Sequence, residues 1–164
     1  STPKPSSAAS DVYKRQDLEL LLPATYVTGS SERMLLYREL DSLTLDKDVE
    51  DFRTRLIDRF GPIPSETEEL LRIVPLRRLA ARLGAEKVFL KGGRMSLFFV
   101  SNPDSPYYQS QAFGKVIAYM MKYTRRCDLR EQNTRRSMLV KDVKNVETAV
   151  GVLQEIVAMQ VEEG

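Results

Sequence analysis

Apolar residues recur at helical spacing through most of the chain and switch to strand spacing in three places. Leu35, Leu36 and Leu40 give a helix from near Glu32 to about Leu40, capped by Ser30 or Ser31. Val49, Phe52, Leu56 and Phe60, with Ile57 beside them, give a second over about 47–60, with Asp46 as its cap and Gly61-Pro62 as its stop. Ser65-Glu66-Thr67-Glu68 is a capping-box pattern ahead of Leu70, Leu71, Val74, Leu79 and Ala80. A helix is therefore expected from Ser65 to about Leu83, kinked or divided at Pro75 and ended by Gly84.

Leu18-Glu19-Leu20-Leu21-Leu22 alternates weakly before Pro23 and predicts a short strand or extended segment. Val88-Phe89-Leu90 and the run Met95 to Val100 flank Gly92-Gly93, the pattern of a β-hairpin with a primed turn. A helix over about 106–123 would bury Phe113, Val116, Ile117 and Met120. Strands are expected near 126–131 and 136–141. Asn145 caps a last helix with Val146, Ala149, Val150, Leu153, Ile156 and Val157 on one face. This order predicts an α+β fold, a small antiparallel sheet with a β-hairpin packed against several helices.

Residues 1–16 are rich in Ser, Pro and Ala, lack periodicity and read as a disordered linker or a vector-derived tail; residues 17–160 read as a single α+β domain. The chain starts at Ser1 rather than Met, so a piece of a longer protein is expected.

Composition narrows the chemistry. The chain of 164 residues contains no histidine, which excludes a Ser-His-Asp or Cys-His site and a histidine-bound metal. Its one cysteine, Cys127, reads as a core thiol, although Arg125 and Arg126 beside it are of the type that lowers a thiol pKa. No apolar run approaches the roughly 20 residues that span a bilayer, and no signal peptide is visible. A cytoplasmic protein with no membrane partner is expected. There is no phosphate-binding G-x-x-x-x-G-K-[ST] loop. Glu68 and Glu69 diverge on a helix and make a poor acid/base pair. No enzyme and no cofactor are expected.

Several pieces carry a resemblance. Leu18-Glu19-Leu20 precedes Pro23-Ala24-Thr25-Tyr26-Val27; Glu32-Arg33 and Leu36-Tyr37-Arg38 follow. The most specific run is Leu56-Ile57-Asp58-Arg59-Phe60-Gly61-Pro62-Ile63-Pro64, and Leu70-Leu71, Leu76-Arg77, Ala80 and Leu83-Gly84 come after it. In these the chain resembles the C-terminal (TRCF) domain of bacterial transcription-repair coupling factors. The resemblance covers Leu18 to Gly84; the remainder agrees only in element order.

It implies a monomeric, autoinhibitory interaction domain of a large ATP-dependent DNA translocase. That translocase displaces stalled RNA polymerase and recruits UvrA for nucleotide excision repair. The domain is implied to pack on the N-terminal UvrB-like domain of the same protein and cover its UvrA-binding surface. UvrA and RNA polymerase are then indirect partners, and DNA is bound by other domains. The helix over 47–60 becomes the contact element, with Asp48, Asp51, Arg55, Asp58 and Arg59 on its solvent side. Asp58 is the leading residue, an acceptor for a partner arginine. Arg59 has an alternative role, pairing with Glu66 or Glu69. The family pattern leads one to expect an acid near position 55, and Arg55 departs from it.

The plain reading of each charge is a solvated helix face. Residues 46–69 hold eight acids and four bases. Phe60, Gly61, Pro62 and Pro64 read as core anchor, helix stop and turn, and Tyr26 and Tyr37 as buried tyrosines with one hydrogen bond. A second hypothesis is a small nucleic-acid-binding domain using residues 122–144, which hold eight bases and three acids. Against it stands a simpler use of those bases, protecting strand edges.

Overall fold

The structure, a computed structural model, describes residues 20–162. Residues 1–16, expected as a tail, and Leu18 and Glu19 of the expected first strand lie outside them.

Helix α1 (Ser30–Ser42) and helix α2 (Asp46–Phe60) form an antiparallel pair, followed by α3 (Ser65–Leu71) and α4 (Ile73–Arg82). Strands β1 (Lys87–Lys91) and β2 (Arg94–Phe98) come next. A 3-10 turn (Pro106–Gln109), α5 (Gln111–Lys122), β3 (Cys127–Gln132), β4 (Arg135–Val140) and α6 (Val146–Val157) complete the chain. The sheet is antiparallel throughout, in the order β1-β2-β4-β3. The α+β expectation holds.

Strand alternation sends Val88, Leu90, Met95, Leu97, Met138 and Val140 to one face, all buried. On that side α4 touches β1, α5 touches β3, and α6 packs on α4 and α5. Each helix contributes its apolar stripe: Leu76 and Leu79 from α4, Val116 and Tyr119 from α5, Leu153 and Ile156 from α6.

Several local expectations hold. The helix expected over 65–83 divides at Arg72, three residues before Pro75, which lies in the first turn of α4, where its missing N–H costs least. Gly92 and Gly93 both have positive φ, +60° and +73°, as a primed hairpin turn requires. Asn145 accepts from the Thr148 N–H at 2.8 Å and caps α6. The same helix start gains a second acceptor: Glu69 takes the N–H groups of Val146 and Glu147 at 3.1 and 3.0 Å.

Others are corrected. Of the two readings of the segment before Pro23, a strand or an extended entry, Leu20–Leu22 forms no strand, and its backbone is paired by side chains instead. The Leu22 N–H donates to the Tyr37 hydroxyl at 2.8 Å, and the Thr67 hydroxyl donates to the Leu21 carbonyl at 2.9 Å. Ser30, Asp46 and Ser65 are first residues of their helices, and none of the three N-termini has a side-chain cap. The capping box does not form because Pro64, not Ser65, occupies the cap position, and Glu68 pairs with Arg53 instead. The helix expected over 106–123 is two elements, separated where Ser110 caps α5 by accepting from the Phe113 N–H. Leu35 and Ile57, expected on apolar faces, are 62% and 45% exposed.

Candidate interaction face on the α1–α2 pair

At about 100° per residue, positions 48, 51, 55, 58 and 59 fall within one stripe of α2, beside the core positions Val49, Phe52 and Leu56. The structure brings the five predicted residues together on this stripe. Asp48 is half-buried; Asp51, Arg55, Asp58 and Arg59 are exposed.

Their charges are not equivalent. Arg55 is held by both carboxylate oxygens of Glu39 on α1, one at 3.1 Å, and stands 5.5 Å above the Phe52 ring. The hydrogen bond to Glu39, opposed in part by desolvation and aided by the charges of Glu39 and Asp51, raises its pKa further. Arg59 pairs with Glu32 on α1 and stands 5.2 Å above Phe60. The alternative pairing of Arg59 with Glu66 or Glu69 does not form. Glu69 is committed to α6 and to Arg72, at 3.2 Å. Both arginines of the stripe are thus neutralised from α1. Asp48, Asp51 and Asp58 have neither a hydrogen bond nor an ion pair among the described residues, and the stripe presents net negative charge.

Sequence reasoning gave no site role to three residues of this face, Glu32, Leu35 and Glu39. Their three- and four-residue spacing places them on one face of α1 and was the available signal. Leu35, 62% exposed, lies between the two glutamates that clamp the arginines. At the clamped arginines a depression of about 270 Å3 is lined by Leu36, Phe52, Arg55, Leu56, Asp58, Arg59 and Phe60. An apolar centre with an acidic margin has the anatomy of a docking face.

The end of α2 is fixed from the segment before α1. The Tyr26 hydroxyl donates to the Gly61 carbonyl at 2.8 Å, with the Leu56 carbonyl at 3.3 Å, and its ring packs 5.7 Å from Phe60. Gly61 has φ +89°, so the helix stops there. Tyr26 and Tyr37 are half-buried and each is hydrogen-bonded. Arg77 closes α1, donating to the carbonyls of Leu40, Asp41 and Leu43 at 3.0 to 3.2 Å.

The bases of 122–144 do not share a face. Arg126 donates to the Lys141 and Asp142 carbonyls and to the Tyr119 hydroxyl. Arg136 lies 4.3 Å over the Tyr108 ring and Lys122 reaches Glu155 at 3.9 Å. Arg130 and Arg135 turn to the opposite side of the sheet. Cys127 is buried, and burial raises its thiol pKa more than Arg126 lowers it, so the activating influence of its neighbours does not prevail. Among the described residues no cluster of acids and cysteine is arranged to hold a metal, and no helix is long and apolar enough to cross a membrane.

Comparison with known proteins places these features. The family model described as TRCF domain matches residues 16–110. The transcription-repair-coupling factor of Rickettsia prowazekii is 28% identical over 138 residues, covering 83% of this chain and 12% of that protein. That of Rickettsia bellii is 29% identical over 116 residues, covering 71% and 10%. The chain thus spans about a tenth of the length of these relatives. A solved structure, the C-terminal domain of transcription-repair coupling factor, superposes with a TM-score of 0.63 at 17% identity, covering 86% of this chain and 88% of that one.

Proposed function

The chain belongs to the TRCF domain family, and from that premise we propose that it is the autoinhibitory C-terminal domain of a transcription-repair coupling factor. In this reading the α1–α2 face docks on the N-terminal UvrB-like domain of the parent protein and masks its UvrA-binding surface. The parent is an ATP-dependent translocase that displaces stalled RNA polymerase, and this domain contributes regulation rather than chemistry. The supporting observation is the division of charge on α2. Both stripe arginines are spent on α1, leaving Asp48, Asp51 and Asp58 to meet basic groups on a partner.

A masking contact need not be strong. Tethering gives an effective concentration of about 1 mM, so a contact with a Kd of about 0.1 mM keeps about nine-tenths of the molecules closed. Polymerase and DNA open it by favouring the open state by more than about 1.4 kcal/mol. An acidic rim around one exposed leucine suits such a switch better than a broad apolar interface.

The test is UvrA binding to the full-length parent with Asp58→Arg in this domain. Tighter UvrA binding than wild type supports masking through α2. Unchanged binding, with the variant folded, removes α2 from the masking surface.

A further inference from the structure

The face of the sheet turned away from the helices has its own composition. Lys87, Phe89 and Lys91 of β1, Arg94, Ser96 and Phe98 of β2, Arg135, Ser137 and Leu139 of β4, and Asp128, Arg130 and Gln132 of β3 point to it by strand alternation and register. Five of these twelve are basic and one is acidic. Two adjoining depressions that share Ser96 and Leu139 run across it. One, of about 310 Å3, is bordered by Lys91 and Arg94; the other, of about 650 Å3, by Phe98, Arg130 and Arg135.

Lys91 and Arg94 face each other directly across the β1–β2 hairpin, both exposed. Like charges directly opposite on a sheet repel. Neither is paired with an acid among the described residues, whereas Arg135 is answered by Glu86 at 2.5 Å and Arg130 by Asp128 at 3.9 Å. A repulsive pair at the mouth of a basic trough marks a place where an external anion compensates.

The trough floor identifies which anion. Phe98 is half-buried and braced edge-to-face by Phe89, ring centroids 5.4 Å apart. Ser137, opposite Phe98 on β4, and Ser96, two residues before it on β2, are small and leave room on that side for a planar group to lie on the ring, while Lys87 stands opposite on β1. An aromatic platform flanked by small residues, with cations at both ends, takes bases on the ring and phosphates on the cations. An acidic peptide would use the cations but leave the aromatic floor without a role.

We infer that this outer sheet face binds single-stranded nucleic acid. Bases stack on Phe98, and phosphates are held chiefly by the uncompensated Lys91 and Arg94, with Arg130 and Arg135 adding positive field at the other end while they stay paired with Asp128 and Glu86. The face lies on β1, β2, β3 and β4, apart from the α1–α2 surface, so it stands or falls independently of the masking role.

The experiment is fluorescence anisotropy of a labelled oligothymidylate of about twelve nucleotides, titrated with this chain at about 50 and 200 mM salt. Saturable binding is expected, weakening steeply with salt. Lys91→Glu with Arg94→Glu is expected to weaken it about tenfold or more. Phe98→Ala should weaken it while Phe98→Tyr preserves it. Should Phe98→Ala fail to fold, the exposed charge pair carries the test. The absence of saturable binding would overturn the inference, as would binding indifferent to the charge reversal. Displacement of the oligonucleotide by an oligoglutamate of equal charge would also overturn it, assigning the face to an acidic protein segment.

Discussion

Arg55 on α2 is clamped by Glu39 on α1, the carboxylate meeting both terminal nitrogens of the guanidinium. The clamp shows how an arginine is accommodated on a stripe whose other exposed charges are mostly acidic. Its charge is answered from the neighbouring helix, so Asp51 and Asp58 still dominate the surface. Glu39→Gln is expected to release the Arg55 charge and weaken docking on a basic partner. Because Arg55 is 58% exposed and Glu39 34%, the unfolding free energy should change by less than about 1 kcal/mol. Urea denaturation and partner titration of the same variant separate the two effects.

Tyr26 ties two distant sequence motifs together by donating to Gly61. Tyr26→Phe keeps the ring on Phe60 and removes the hydroxyl, so a loss of about 1 kcal/mol is expected. Tyr26→Ala also removes the ring and is expected to cost about 3 kcal/mol. Urea denaturation of both variants would show this order; equal losses would mean the hydroxyl contributes most of the effect.

Gly84 and Gly151 should respond oppositely to alanine. At Gly84, φ is +78° and a Cβ would stand 2.2 Å from the Tyr107 ring, whose hydroxyl donates to the Leu83 carbonyl. Gly84→Ala is expected to destabilise by about 2 kcal/mol or more. Gly151 lies in α6 with nothing within 4 Å of a new Cβ, and Gly151→Ala should stabilise by about 0.5–1 kcal/mol. Thermal melts of the two single variants check the signs.

Alkaline pH should weaken the fold in stages. Burial raises the Cys127 thiol above its ordinary range and does the same to the Tyr107 and Tyr119 phenols. A raised folded pKa means the unfolded chain releases its proton first. Stability from Cys127 is therefore intact below about pH 8.5 and falls as pH rises through the folded pKa. Urea midpoints should decline above that pH, and Cys127→Ala should flatten the first part of the decline. A thiol reagent should react slowly with the native protein at neutral pH and rapidly in denaturant.

Much of the fold was readable because its signals are local. Gly92-Gly93 dictates a hairpin turn, Asn145 a helix start and Pro75 a division. The sheet order was not readable, since β2 pairs with β4 across the whole of α5. The β3–β4 turn uses Asn133 and Thr134, both at positive φ, and threonine there gives no turn signal. Charge spacing gathered five residues on one stripe of α2. It could not reveal that Glu32 and Glu39 neutralise two of them, because that depends on how α1 packs. Periodicity likewise assigned Leu35 to the core, since it cannot tell an apolar residue that faces the interior from one that faces solvent or a partner.

The most direct measurement is an NMR titration of this chain with the UvrB-like N-terminal domain of the same parent protein, carried to about millimolar partner because a tethered contact is weak in trans. Shifts clustered on Leu35, Asp48, Asp51 and Asp58, and lost with Asp58→Arg, are the predicted result. No shifts at that concentration, or shifts confined to the sheet, would contradict the masking role.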